Sequence, residues 1–170
     1  MVYYEYFEAD ASPTLNSWFG GSPGTAPVAP TEVNFIDNMQ EADISPVEDV
    51  TEDFVFDLEG TINVPATGNW TFFTSSDDGS RLYIDGNEVV NNDGLHGVVE
   101  QSGNVTLSAG PHSIRVQFFE RGGGDFLSVS WQGPGTAKAQ IPDSAFETID
   151  SQSVCAAPGC GDGVIGRRIL

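Results

Sequence analysis

The chain has 170 residues, enough for one domain with a sound core, and carries 25 acidic against 6 basic side chains for a formal charge of -19. Phosphate recognition needs clustered Lys and Arg, so this balance excludes nucleic acid and anionic membrane surfaces as partners. No run approaches the roughly 20 apolar residues of a membrane span, and no charged-then-apolar signal segment is present.

Met1 directly before Val2-Tyr3-Tyr4 reads as a start residue ahead of a domain excised from a longer protein. Residues 9 to 31 hold Pro13, Pro23, Pro27 and Pro30 among several Gly and Ser, which predicts a long surface excursion rather than a strand. Residues 54 to 64 place apolar side chains at 54, 56, 58, 62 and 64 with mostly polar ones between, the signature of a strand with one buried face. The same period recurs in Trp70-Thr71-Phe72, Leu82-Tyr83-Ile84, Ile114-Arg115-Val116-Gln117-Phe118 and Leu127-Ser128-Val129-Ser130-Trp131, whose aromatic residues read mostly as core. Turn signals fall between these runs at Pro65-Ala66-Thr67-Gly68, Asp85-Gly86, Ala109-Gly110-Pro111 and Gly122-Gly123-Gly124. No window shows helical periodicity. The expected class is all-β, an antiparallel sandwich or flattened barrel spanning residues 1–150. Residues 151–170 lose the alternation and read as a linker or tail, in which Cys155 and Cys160 are expected to close a small disulfide loop suited to an oxidising compartment. The run Cys160-Gly161-Asp162-Gly163-Val164-Ile165 looks like the opening of a cysteine-rich repeat.

One segment departs from strand alternation in a way that points to chemistry. In Thr74-Ser75-Ser76-Asp77-Asp78-Gly79-Ser80-Arg81-Leu82-Tyr83-Ile84-Asp85-Gly86, two adjacent carboxylates and a glycine interrupt the pattern. Neighbouring side chains of an extended chain point to opposite faces, so Asp77 and Asp78 can grip one ion only across a sharp bend, supplied by a turn or an unusual peptide bond. The surplus acid elsewhere has two readings, a solvated extracellular surface and carboxylates that hold a hard cation such as calcium.

Gly68-Asn69-Trp70-Thr71-Phe72 followed by that segment resembles the PA-fourteen domain, named after a fragment of the anthrax protective antigen and found in yeast flocculins, bacterial adhesins and glycosidases. Asn92-Asp93-Gly94-Leu95-His96, Val105-Thr106-Leu107-Ser108-Ala109-Gly110, His112-Ser113-Ile114-Arg115-Val116-Gln117-Phe118-Phe119-Glu120 and Leu127-Ser128-Val129-Ser130-Trp131 follow in the family's order. The resemblance spans roughly residues 2 to 150. It implies a β-sandwich in which Asp77 and Asp78, joined by a cis peptide, hold calcium on an exposed rim. It further implies Glu120 as a ligand, with Gly122 and Gly124 as carbonyl donors. Glu120 stands where the lectin members have Asn or Gln, and many members without known sugar binding also carry Glu there. The three glycines at 122 to 124 equally suit a plain hairpin turn.

The function so implied is a non-catalytic, calcium-dependent lectin or adhesin module at the cell surface or secreted. Two vicinal sugar hydroxyls would replace waters on the ion while Asp77 and Asp78 accept hydrogen bonds from them, with Arg121, Asp125 and Trp18 as neighbouring contacts. The alternatives are a structural or protein-contact module of a multidomain extracellular protein and an accessory module of a glycoside hydrolase. Catalysis by these acids themselves is disfavoured, because glycosidase carboxyls stand about 5.5 Å or 6.5–9.5 Å apart across a cleft, whereas a set converging on one ion is tighter. His96 and His112 lack partners at metal-ligand spacing, and His96 reads as structural.

Overall fold

The computed structural model describes residues 1–8, 14–21, 24–40 and 53–147. Among the described residues ten strands run in chain order: β1 (Val2–Glu8), β2 (Glu32–Ile36), β3 (Phe54–Val64), β4 (Gly68–Asp77), β5 (Ser80–Ile84), β6 (Asn87–Asn92), β7 (Val99–Leu107), β8 (Gly110–Glu120), β9 (Phe126–Gly133) and β10 (Thr136–Gln140). They form two antiparallel sheets, one of six strands in the order β2-β1-β3-β8-β5-β6 and one of four in the order β10-β9-β4-β7. The sheets stay open, so of the two expected architectures the molecule is the sandwich and not the barrel. Cys155 and Cys160 lie outside the described residues.

Strand alternation builds the core directly. Phe54, Phe56, Leu58, Ile62 and Val64 of β3 face inward beside Val116 and Phe118 of β8 and meet Trp70 and Phe72 of β4 and Trp131 of β9. The Trp70 and Trp131 rings stand 4.9 Å apart, and the Trp70 indole N–H donates to the Ala66 carbonyl, so this large side chain is buried with its polar atom satisfied. Tyr83 is buried on the opposite face of its sheet, where its hydroxyl donates to Gln117 at 3.1 Å.

The excursion after β1 contains a helix, α1 (Leu15–Phe19), which corrects the expectation of no helix. Five residues are too few to show a period. Local chemistry defines it instead: the Thr14 hydroxyl accepts from the Ser17 N–H, and Gly20 at φ 70 closes the other end by donating to the Asn16 carbonyl. Leu15 and Phe19, four residues apart, cover Phe7, Val55 and Phe119 on the outer face of the six-stranded sheet. A second correction concerns residues 109–111, since Gly110 and Pro111 lie inside β8, where Pro111 pairs only with Asn63 at the strand's start. At the foot of β3 the Met1 ammonium donates to the Glu147 carbonyl at 2.7 Å, and the Glu147 N–H donates to Thr61.

Candidate metal centre

Between β4 and β5 the chain crosses from one sheet to the other in two residues, Asp78 and Gly79. The Asp77–Asp78 peptide is cis. Gly79 is pressed so closely that a Cβ there would stand 2.3 Å from the Phe119 ring and 2.8 Å from the Gly94 nitrogen. Glu120 closes β8 opposite Phe54, on the inward-facing register, and is 1% exposed. One carboxylate oxygen from each of Asp77, Asp78 and Glu120 lies within 4.8 Å of the other two. Two ligands on opposite sides of a calcium ion, each about 2.4 Å away, are about 4.8 Å apart, so this spread fits a single ion.

Backbone N–H groups orient the acids. Asp78 Oδ1 accepts from the His96 N–H at 2.9 Å and Oδ2 from the Arg121 N–H at 3.1 Å; Glu120 Oε2 accepts from Asp78 at 3.0 Å and Oε1 from Gly122 at 2.6 Å. Among the described residues no hydrogen bond reaches the Asp77 carboxylate, and no Lys or Arg side chain forms an ion pair with any of the three acids. Burial pushes the Glu120 carboxyl up to about 7, with the Asp78 and Asp77 charges adding to it and the two N–H donors holding it back. Three hard oxygen donors without an imidazole or thiolate suit calcium and leave coordination positions for further ligands.

The loop of residues 93–97 walls the other side, and its supports were not anticipated from the sequence. Asp93 accepts from the Leu15 N–H at 2.7 Å, the Asn16 N–H at 3.1 Å and Arg81 Nη2 at 2.7 Å, which ties the loop to the first turn of α1. Arg81, 4% exposed, also donates to the Gly21 carbonyl. The His96 ring spans the loop with Nε2 3.0 Å from the Asn92 carbonyl and Nδ1 2.9 Å from the Gly97 carbonyl, a structural clasp that leaves neither nitrogen facing the acids. Beneath the rim, Asn92 Nδ2 donates to Ser76 Oγ, itself 2.8 Å from Ser80 Oγ, so buried hydroxyls link the sheets under the site.

The structure thus gathers Asp77, Asp78 and Glu120, and joins Arg121 and Gly122 to them through main-chain N–H groups. Gly124 and Asp125 lie exposed in the same loop without a hydrogen bond to the acids among the described residues. Trp18 packs edge-on against Phe7, 6.1 Å between ring centres, as part of the α1 cover.

The model of the PA14 domain family matches residues 3–145. This chain belongs to the PA14 domain family. Among solved structures it is similar to the PA14 sugar-binding domain from an RTX adhesin, with 18% identity, a TM-score of 0.67, and coverage of 85% of this chain and 96% of that one. It is also similar to the epithelial adhesin 6 A domain from Candida glabrata in complex with Galb1-3GlcNAc, at 15% identity, a TM-score of 0.59, and 88% and 87% coverage. An anti-sigma factor domain-containing protein matches with 19% identity, a TM-score of 0.68 and 87% of this chain, but the match spans only 48% of that protein's length. At these identities the likeness concerns the fold. No curated protein sequence matches the chain significantly.

Proposed function

We propose that the domain is a calcium-dependent carbohydrate-binding module of an extracellular, adhesin-like protein. The observation that carries the reading is the convergence of Asp77, Asp78 and Glu120 within 4.8 Å with no basic side chain pairing with them among the described residues. An arrangement of three acids without a counter-charge is costly in the absence of a cation and favourable around one. The sugar-binding names of two structural relatives are consistent with it.

In this reading Asp77, Asp78 and Glu120 hold the ion, and calcium supplies open positions for two vicinal hydroxyls. Gly122 and Gly124 add main-chain carbonyls, while Arg121 and Asp125 flank the sugar. Both oxygens of Asp78 and of Glu120 already accept N–H groups, so Asp77 is the acid with most capacity left for sugar hydroxyls. The contact is shallow, so a monovalent Kd of about millimolar is expected, with strength coming from multiple copies.

The test is a glycan array with the domain displayed multivalently, with calcium and with excess chelator. Calcium-dependent binding limited to diol-bearing glycans supports the reading, and sugars lacking one of those hydroxyls should not compete. The same N–H bonds to Asp78 and Glu120 support a second reading, in which the ion only locks the loops of 93–97 and 121–125. Calcium-dependent thermal stabilisation with a silent array would favour that structural role.

A further inference from the structure

Besides the other two acids, Asp77 has apolar neighbours on both flanking strands. Its partner across β9 is Phe126, and on its other side Ser76 pairs with Val99, so the register continued by one residue sets Val98 beside it. Side chains aligned across neighbouring strands share a face. The close approach of Gly97, whose added Cβ would stand 4.0 Å from Asp77 Oδ2, confirms that this carboxylate leans toward the start of β7. Val98 is 59% exposed and Leu95 50%, so the stretch between β6 and β7 holds two of the six exposed large apolar side chains among the described residues; Val99 opens β7 and pairs with buried Ser76, on the face away from Asp77. Single exposed apolar residues are ordinary; Val98 beside the least satisfied carboxylate of a candidate site, with Leu95 three residues back in the same stretch, is a less common grouping.

We infer that Phe126, Val98 and Leu95 form an apolar lip that determines sugar specificity, favouring a diol-bearing pyranose that carries a methyl group over its fully hydroxylated counterpart. This rests on the carbohydrate-binding reading above. A pyranose seated at the ion through two ring hydroxyls lays a flank of its ring against whatever borders Asp77. The C6 group is where a hexose can lose a hydroxyl and keep every ring diol, leaving a methyl that gains from apolar contact where CH2OH would lose hydrogen bonds to water. Burying one such group corresponds to about a fourfold change in affinity.

The test uses three matched pairs of methyl glycosides, D-galactose with D-fucose, D-glucose with 6-deoxy-D-glucose, and D-mannose with D-rhamnose, competing in calcium for the array signal. Within each pair that competes, the deoxy sugar is expected to compete about fourfold more strongly. Val98→Ser, and Leu95→Ser as a second exposed variant, should level the pair, whereas Val33→Ser on the far edge strand β2 should leave the preference intact. Equal competition within pairs, or a preference that survives both lip variants, would overturn the lip while leaving the lectin reading standing. Absence of any calcium-dependent glycan binding would overturn both.

Discussion

At the scale of single residues, the crossing between the sheets is the least forgiving place. Gly79 has the Phe119 ring on one side and the Gly94 main chain on the other. Gly79→Ala must displace one of them, and is expected to lower unfolding stability by about 1–3 kcal/mol in denaturant titration. For the ion, Asp78→Ala should abolish calcium-dependent thermal stabilisation; an unchanged calcium shift in melting temperature would move the site elsewhere. A third residue-scale prediction concerns pH and lies away from the rim. The hydrogen bond it donates to the Asp85 carboxylate holds the His112 imidazole above its usual range, with the Ser108 carbonyl contributing. Burial nudges the Asp85 carboxyl upward, but the bonds from His112 and Ser113 outweigh it and leave it below its ordinary value. A raised histidine stabilises fully below its unfolded pKa and loses that contribution as pH climbs through the folded value; a depressed aspartate does the reverse on the acid side. The pair therefore helps most between about pH 4 and 6.5. His112→Gln should lower the melting temperature near pH 5 and have little effect near pH 9, as read by thermal denaturation across pH.

At the scale of elements, helix α1 and the loop of 93–97 form one unit through Asp93. The Asp93 and Arg81 side chains are 9% and 5% exposed, so removing the acid takes from a buried guanidinium its nearest counter-charge, leaving Glu88 at 3.9 Å, and leaves two helix N–H groups without their acceptor. Asp93→Ala is expected to cost about 3–5 kcal/mol in unfolding stability. Because His96 is held by the same loop, the variant should also bind calcium more weakly, as titration calorimetry would show. The partners of Asp93 explain why it could not be read from the chain. Its helix contact is 78 residues away in sequence, and the Asp93-Gly94 pair alone signals only a turn. The paired acids were legible because adjacency forces a bend, whereas Glu120 was reached by resemblance. Strand β3 was legible to the residue because its apolar side chains alternate with polar ones along most of its length, Val55 under α1 being the one apolar side chain on its outer face. Strands β1 and β7 were not, for opposite reasons: β1 carries aromatics on both faces because α1 covers the outer one, and β7 is an edge strand whose mostly polar side chains are held by pairing to β4.

At the scale of the whole molecule, the two sheets are held together by large interlocking rings far from the rim. Trp70→Ala should cost about 3–5 kcal/mol in global stability without altering the calcium requirement of whatever binding remains, a separation that melting curves with and without chelator would display. The geometry of β3 sets a further relation. It starts at Phe54, beside Glu120, and seven residues later Thr61 receives Glu147, to whose carbonyl Met1 is bonded. The first and last described residues thus meet about 23 Å along the strand from the acids. A fold whose first and last described residues lie side by side at one end leaves its acidic tip at the other, clear of both.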